Sequence, residues 1–310
     1  MYKIRAYLFC LFCWTVSGKP QEVKESSLRK GCMAAIHRAA ISTDFWVRVH
    51  AVEYLIALDR TAEASTIIHE RLALFNDTPQ KRIGYWRTSY RVAGSKRDSA
   101  VWLGRIRDAY LDTSGPDRLH AVETLCKLGY PLKDLDPCIT GADRAKGGEL
   151  AGYVIWGKAI RGRGRLPDDA RLMEGLRQEE KTAKVIAYAL GFMDSLPPAA
   201  WKMLSRKALA ALPENSGCPY LLSASVSLWD GCTEKKMAGE IRNRLLLLGR
   251  VGDKTGRIEC CRALARKGAA ADLPLLIRLL RNKITRTNPE KEDVCAAAAY
   301  AILCILARQV

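Results

Sequence analysis

Histidine runs out early in this chain. All four, His37, His50, His69 and His120, precede residue 121, so the last 190 of the 310 residues offer no imidazole to a metal or a proton. Acidic residues are short as well: 33 Asp and Glu stand against 50 Lys and Arg, a formal charge of +17. That surplus excludes no fold, but it favours anionic partners such as nucleic acid, phospholipid headgroups or sulfated glycan, unless it only keeps the surface solvated. Proline (12) and glycine (23) are too few for a collagenous or low-complexity chain. Cysteine, at 11, is too thinly spread for a disulfide scaffold, and most of these thiols read as small buried hydrophobes. Alternation of the strand kind is missing throughout.

Complete catalytic motifs are also missing. "HERLA" from His69 opens like a zinc-protease motif, but Ala73 stands where a second His would have to share the helical face. "RGRGRLP" has Gly162 and Gly164 but Pro167 where a dinucleotide loop needs its third Gly, and "VGDKTG" lacks the Gly-Lys order of a phosphate loop. Cys10-x-x-Cys13 lies in the opening segment. No set of nucleophile, base and orienting group emerges, and no cofactor or metal is expected.

What is present begins at the N-terminus. Lys3 and Arg5 precede an apolar stretch, Ala6 to Val16, and Val16-Ser17-Gly18 puts small residues before Lys19. This order predicts a cleavable secretory signal over 1–18, with the mature chain from residue 19 outside the cytoplasm. Eleven apolar residues fall short of the ~20 that span a bilayer, so no transmembrane anchor is expected. In the mature chain Cys218 and Cys232 are not expected to pair, because a helix between them holds them roughly 18 Å apart. Cys126 with Cys138 remains open.

"RVHAVEYLIALD", Arg48 to Asp59, returns as "RLHAVETLCKLG", Arg118 to Gly129, with seven of twelve positions identical. Val47, Ala51, Val52, Leu55 and Leu58 fall on one helical stripe in the first copy, as Leu119, Val122, Leu125 and Leu128 do in the second. "TAEASTIIHERLALF" adds a second stripe, Ala64, Ile67, Ile68, Leu72 and Phe75, so each unit is a helical hairpin. Half of the 70-residue offset is a usual length for such a repeat, and "RIGYWRTSYRVAG" (82–94) stands where a degenerate middle copy belongs. Further helices follow: "ELAGYVIWGKAI", "TAKVIAYALGFM" paired with "PAAWKMLSRKAL", "PYLLSASVSLW" with "AGEIRNRLLLL", and "IECCRALARKG" with "LPLLIRLL".

"TDFWVRVHAVEYLIAL" resembles the second helix of a HEAT repeat, and "ADLPLLIRLL" followed by "EDVCAAAAYAILCIL" is similar to a first and second helix of the same family. The resemblance implies an all-α fold: a right-handed α-solenoid of stacked two-helix HEAT-like repeats over 19–310 that acts mainly as a binding scaffold. It further implies that Asp44 caps a second helix and Arg48 pairs along the stack, and His50 and His120 are expected in helix-packing contacts. The chain departs from the family where Ser114 replaces the Asp, where Cys295 replaces the Arg, and in the polar insert "RNKITRTNPEKE".

Two stretches are candidate binding features. The first interleaves Arg82, Arg87 and Arg91 with Tyr85, Trp86 and Tyr90, flat rings beside guanidinium groups that suit sugars, nucleobases or acidic side chains. Its bland alternative is that Trp86 and Tyr90 pack between repeats while the arginines are solvated. The second is Arg161, Arg163 and Arg165 in a Gly-rich loop, an anion clamp or a plain linker, ahead of Pro167, Asp168 and Asp169 at a helix start. Residues 159–310 carry a net +10 against +5 for 19–158, so the C-terminal half holds more of any electrostatic footprint. The leading expectation is an exported, non-catalytic HEAT-like scaffold that binds a protein or an acidic glycan. A nucleic-acid-binding protein, resembling the alkylpurine DNA glycosylases built of such repeats, is the alternative, disfavoured by the export signal. A third reading is an enzyme whose site is assembled across repeats.

Overall fold

The computed structural model describes residues 25–132, 148–160, 169–281 and 289–309. The signal segment 1–18, Cys138, and the loop with Arg161, Arg163 and Arg165 lie outside them. The described residues form fifteen α-helices, with no strand among them. In chain order these are α1 Glu25–Ala40, α2 Phe45–Ala57, α3 Thr61–Ile67, α4 Lys81–Val92, α5 Lys96–Leu111, α6 Arg118–Lys127, α7 Gly148–Ala159 and α8 Asp169–Gly175. After them come α9 Glu180–Leu190, α10 Pro198–Ala210, α11 Cys218–Ser227, α12 Lys235–Val251, α13 Lys254–Lys267, α14 Leu273–Leu280 and α15 Pro289–Ala307. α3 runs on through a π turn, Ile68–Leu72, and a 3-10 turn, Ala73–Phe75.

Local chemistry sets the helix ends. Asp44 Oδ1 accepts from Val47 N at 3.0 Å, Ser95 Oγ from Asp98 N at 3.0 Å, and Asp253 Oδ1 from Gly256 N at 2.8 Å, each satisfying an amide that the first turn leaves free. Prolines open α10, α11 and α14, where a missing N–H costs nothing. The two copies of the repeated phrase stop in the same way. Asp59 and Gly129 both take a left-handed backbone, φ 60° and 68°. Arg60 N then donates to Leu55 O, and Tyr130 N to Leu125 O, both at 2.9 Å. This is a Schellman stop, and Gly or a short polar residue at its left-handed position is what permits it.

Alternate helices build two layers. Each of α2, α4, α6, α7, α9, α11, α13 and α15 packs on the next in that order, and α15 returns to pack on α2. The first and last units therefore meet, and the inner helices close into a ring. α1 covers the closure by packing on both α2 and α15, while α3, α5, α8, α10, α12 and α14 lie against the outside of the inner helices. One continuous apolar core lies between the layers. Two expected pairings need correction: α14 packs mainly on α15 and not on α13, and α10 packs on α11 and α12 while α8 supplies the outer partner of α9. Length explains the second, because α8 has only seven residues and its apolar signal is too short to read from periodicity.

Small residues permit the tight contacts. Ala296, Ala298, Ala299 and Ala301 of α15 are fully buried, which lets this helix sit among α1, α2, α13 and α14. A Cβ on Gly152 of α7 would lie 2.6 Å from Val185 of α9, so that crossing needs glycine. Among the described residues no helix is long and apolar enough to cross a membrane. Cys126, Cys218 and Cys232 form no disulfide among the described residues.

Candidate functional site

The ring encloses a cavity of about 720 Å³, and every inner helix contributes side chains to its wall. The volume falls in the range that holds a small ligand. Five carboxylates (Glu53, Glu123, Glu149, Glu259, Asp293) and six lysines or arginines (Arg91, Lys127, Lys184, Lys254, Arg262, Arg266) line it, together with His50. The wall is thus close to neutral in a chain of +17. Tyr54, Tyr153, Tyr188, Tyr220, Tyr300 and Phe192 supply aromatic surface between the charges.

Helical spacing explains how a buried helix presents these groups. Glu53 and Glu123 sit at the same position of the two repeated phrases, off the apolar stripe of Ala51, Val52 and Leu55 or of Ala121, Val122 and Leu125, which is fully buried in both. Each carboxylate meets cations from its own neighbourhood. Arg87 Nε stands 2.9 Å from Glu53 Oε1, off the hydrogen-bond direction, and Arg91 Nη1 stands 3.5 Å from the same oxygen. Lys127 Nζ lies 2.7 Å from Glu123 Oε1, one helical turn on. Burial works against the charge on Glu53, yet Arg87 and Arg91 hold its carboxyl down at about 2. Glu123 is held below the usual range against its own burial by Lys127 and Arg87, and Lys127 is raised in turn by Glu123 despite burial.

At the ring closure Asp293, fully buried, faces His50 Nδ1 at 3.0 Å and Lys254 Nζ at 3.0 Å. Against burial, the His50 hydrogen bond and the Lys254 charge keep this carboxyl below its ordinary range. The wall also carries an aromatic shelf. Arg262 stacks over Phe192 at 4.2 Å and lies 5.0 Å from the Tyr188 ring centre, while its ion pair with Glu259 is long, at 3.5 Å. Tyr188 meets Phe192 and Tyr220 edge-on, with centroids 5.1 and 5.6 Å apart. Burial raises all five lining tyrosines above the ordinary phenol value, so each keeps its proton and can donate to a ligand oxygen.

Of the arginine and aromatic stretch on α4, the structure brings only Arg91 to the cavity as an accessible group. The rest needs correction. Arg87 is buried, 3% exposed, and is neither a solvated nor an accessible binding residue. Arg82 donates through Nε to Asp117 at 2.7 Å, tying α4 to the start of α6. Trp86 is buried and donates to Asn76 Oδ1 at 2.9 Å, and Tyr85 packs edge-on against Trp102 at 5.3 Å. Tyr90 is half-buried. The physical reason is common to all: α4 belongs to the inner layer, so most of its circumference meets another helix.

Several arginines of the surplus serve the helix ends. Arg244 donates to the carbonyls of Ala208, Leu209 and Ala211 at the end of α10, at 3.2, 2.5 and 2.7 Å. Arg266 donates to Gly191 and Met193 O beyond α9, and Arg308 to Ala265 and Gly268 O at the end of α13. Guanidinium groups satisfy the carbonyls a last turn leaves free and complement its dipole. Asp44 caps as expected, and Arg48 reaches Thr43 O at 3.2 Å and Arg71 O at 3.4 Å. His120 stacks on Trp46, with ring centres 5.6 Å apart, whereas His50 joins the cavity wall.

Sequence reasoning missed Asp293, Arg262 and the five tyrosines. A usable signal was there: Glu53 and Glu123 recur at one position of the repeat, inside helices that are otherwise apolar. No group of three or more metal-ligating side chains lies together among the described residues. No protein-family model matches the chain, and no curated protein matches its sequence.

Proposed function

We propose that this chain is an exported binding protein, built of HEAT-like repeats closed into a ring, that takes a short stretch of an acidic glycan into its central cavity. The observation that carries the reading is the shelf of Arg262 on Phe192 and Tyr188, inside a cavity that also presents Arg91, Lys184 and Arg266. Aromatic faces suit the apolar faces of sugar rings, protonated tyrosines donate to ring and hydroxyl oxygens, and a guanidinium grips a carboxylate or sulfate. The three lining carboxylates with shifted acidity, Glu53, Glu123 and Asp293, are all shifted down. That supports a role as fixed charges that hold the cations in place. Export rests on the basic, apolar and small-residue order of residues 1–18. The mixed sign of the wall fits a bound sugar acid better than the continuous basic stripe that nucleic acid favours.

Calorimetric titration tests the reading. A uronic-acid trisaccharide should bind at least about tenfold more tightly than its neutral counterpart, since one charge-assisted contact is worth roughly 1.5–3 kcal/mol. Arg262→Ala should abolish that preference. Equal affinity for the two sugars, or a preference that survives Arg262→Ala, overturns it, and tighter binding to duplex DNA than to either sugar moves the protein to the nucleic-acid class.

A further inference from the structure

The ring closure brings together two residues that are 243 positions apart and that no local motif connects. His50 stands at mid-length on α2, and Asp293 lies in the first turns of α15. The Asp293 carboxylate is fully buried, and both its oxygens lie within reach of His50 Nδ1, at 3.0 and 3.2 Å. Lys254 of α13 holds the same carboxylate from another side, at 3.0 Å. A carboxylate kept ionised by the Lys254 ammonium and by the hydrogen bond to His50 can only accept, so Nδ1 must be the donor. The proton of a neutral His50 therefore sits on Nδ1, and the lone pair sits on Nε2. The His50 side chain is 37% exposed and lines the cavity.

We infer that His50, oriented by Asp293, is a proton-accepting group of the cavity that can activate water against a carboxylic ester bound there. This inference stands apart from the glycan reading, because it depends on the dyad and the cavity and not on what the aromatic shelf holds. An imidazole fixed in one tautomer by a buried carboxylate is the arrangement general-base catalysis asks for. Besides Asp293, the cavity wall around the dyad carries Glu53 and Tyr54 on α2, Tyr300 on α15, Lys254 and Glu259 on α13, and Arg91 on α4. The step balances without a co-reactant. Nε2 takes a proton from water as the water oxygen bonds to the ester carbonyl carbon. The bond from that carbon to the alkoxy oxygen then breaks, and the departing oxygen takes the proton back from the imidazolium. The products are one acid and one alcohol. Neutral tyrosines in the wall can donate to the carbonyl oxygen as charge develops on it. The substrate class is a small polar ester that fits a cavity of about 720 Å³. Asp293 is a positioning residue in this scheme, since it acts through the imidazole.

Two measurements decide. Nitrogen-15 shifts of histidine-labelled protein should show His50 as the Nδ1–H tautomer, whereas free histidine prefers Nε2–H, and Asp293→Asn should shift that balance. Hydrolysis of p-nitrophenyl acetate by the wild type should exceed that by His50→Gln at least tenfold, with an unchanged melting temperature in the variant. A wild-type Nε2–H tautomer, or equal hydrolysis by wild type and His50→Gln, overturns the inference. The tautomer is read on the unmutated chain, so a failure of Asp293→Asn to fold leaves the decision intact.

Discussion

The two copies of the repeated phrase use the same letters for different ends. In both, Ala, Val and Leu at matching positions are buried, the helix stops at a left-handed residue, and a glutamate projects into the cavity. Their histidines part company. His120 stacks against Trp46 of the first copy, whereas His50, beside the ring closure, meets Asp293 of the last helix. The second copy packs mainly on α4, α5 and α7, and the first also faces α15. A repeat therefore fixes where a side chain points relative to its own helix, while the closure of the ring fixes what it meets.

Arg87 gives the sharpest way to break the comparison. It lies between the copies, paired with Glu53 of the first and 3.4 Å from Thr124 Oγ1 of the second. Arg87→Ala leaves the largely buried Glu53 with only the longer contact to Arg91 and should cost up to about 3 kcal/mol. Arg91→Ala, at the accessible end of the same helix, should stay within about 0.5 kcal/mol. Thermal or denaturant unfolding of the two variants measures the difference, and equal losses would mean that Arg87 is no more buried than Arg91.

Closure itself can be perturbed next. Ala298→Leu adds bulk to a fully buried position of α15, and overpacking of this kind costs about 1–3 kcal/mol. Because α15 packs on α2 and not on α6, hydrogen exchange should rise in the first copy and stay unchanged in the second.

The smallest effect concerns acid. Glu53 releases its proton more readily in the folded chain, at about 2, than in the unfolded one, near 4.5. Between these values the unfolded state binds more protons, so the stability this carboxylate contributes is present above about pH 4.5 and is lost as pH falls toward 2. Denaturant titrations from pH 5 to pH 3 should show stability falling with acid. The Glu53→Gln variant should lose less than about one proton's worth of that slope, and an identical slope in both proteins would show Glu53 to be ordinary in the fold.

Much of the architecture was legible. Apolar positions at helical spacing marked most of the helices, though neither α1 nor α5, and Asp44 announced its cap. The site was far less so. Arg82, Arg87 and Arg91 share one short stretch, yet one ties α4 to α6, one is buried between copies, and one reaches the cavity. Periodicity reports which face of a helix is apolar; it does not report how many neighbours that helix has. On an inner helix even a charged face is covered, so an arginine that reads as solvated can be buried against a glutamate of the next unit.

By itself, then, the sequence determined the helices, their stops and the recurrence of a glutamate in each copy of the phrase, because these depend on contacts within a few turns of chain. Only the tertiary structure decided that the units close, that Asp293 reaches His50 and that Arg262 lies on Phe192 beside Tyr188. Those contacts join residues 70 to 243 positions apart, far beyond the few turns of chain whose packing a local pattern reports, and they exist only because the last helix meets the first.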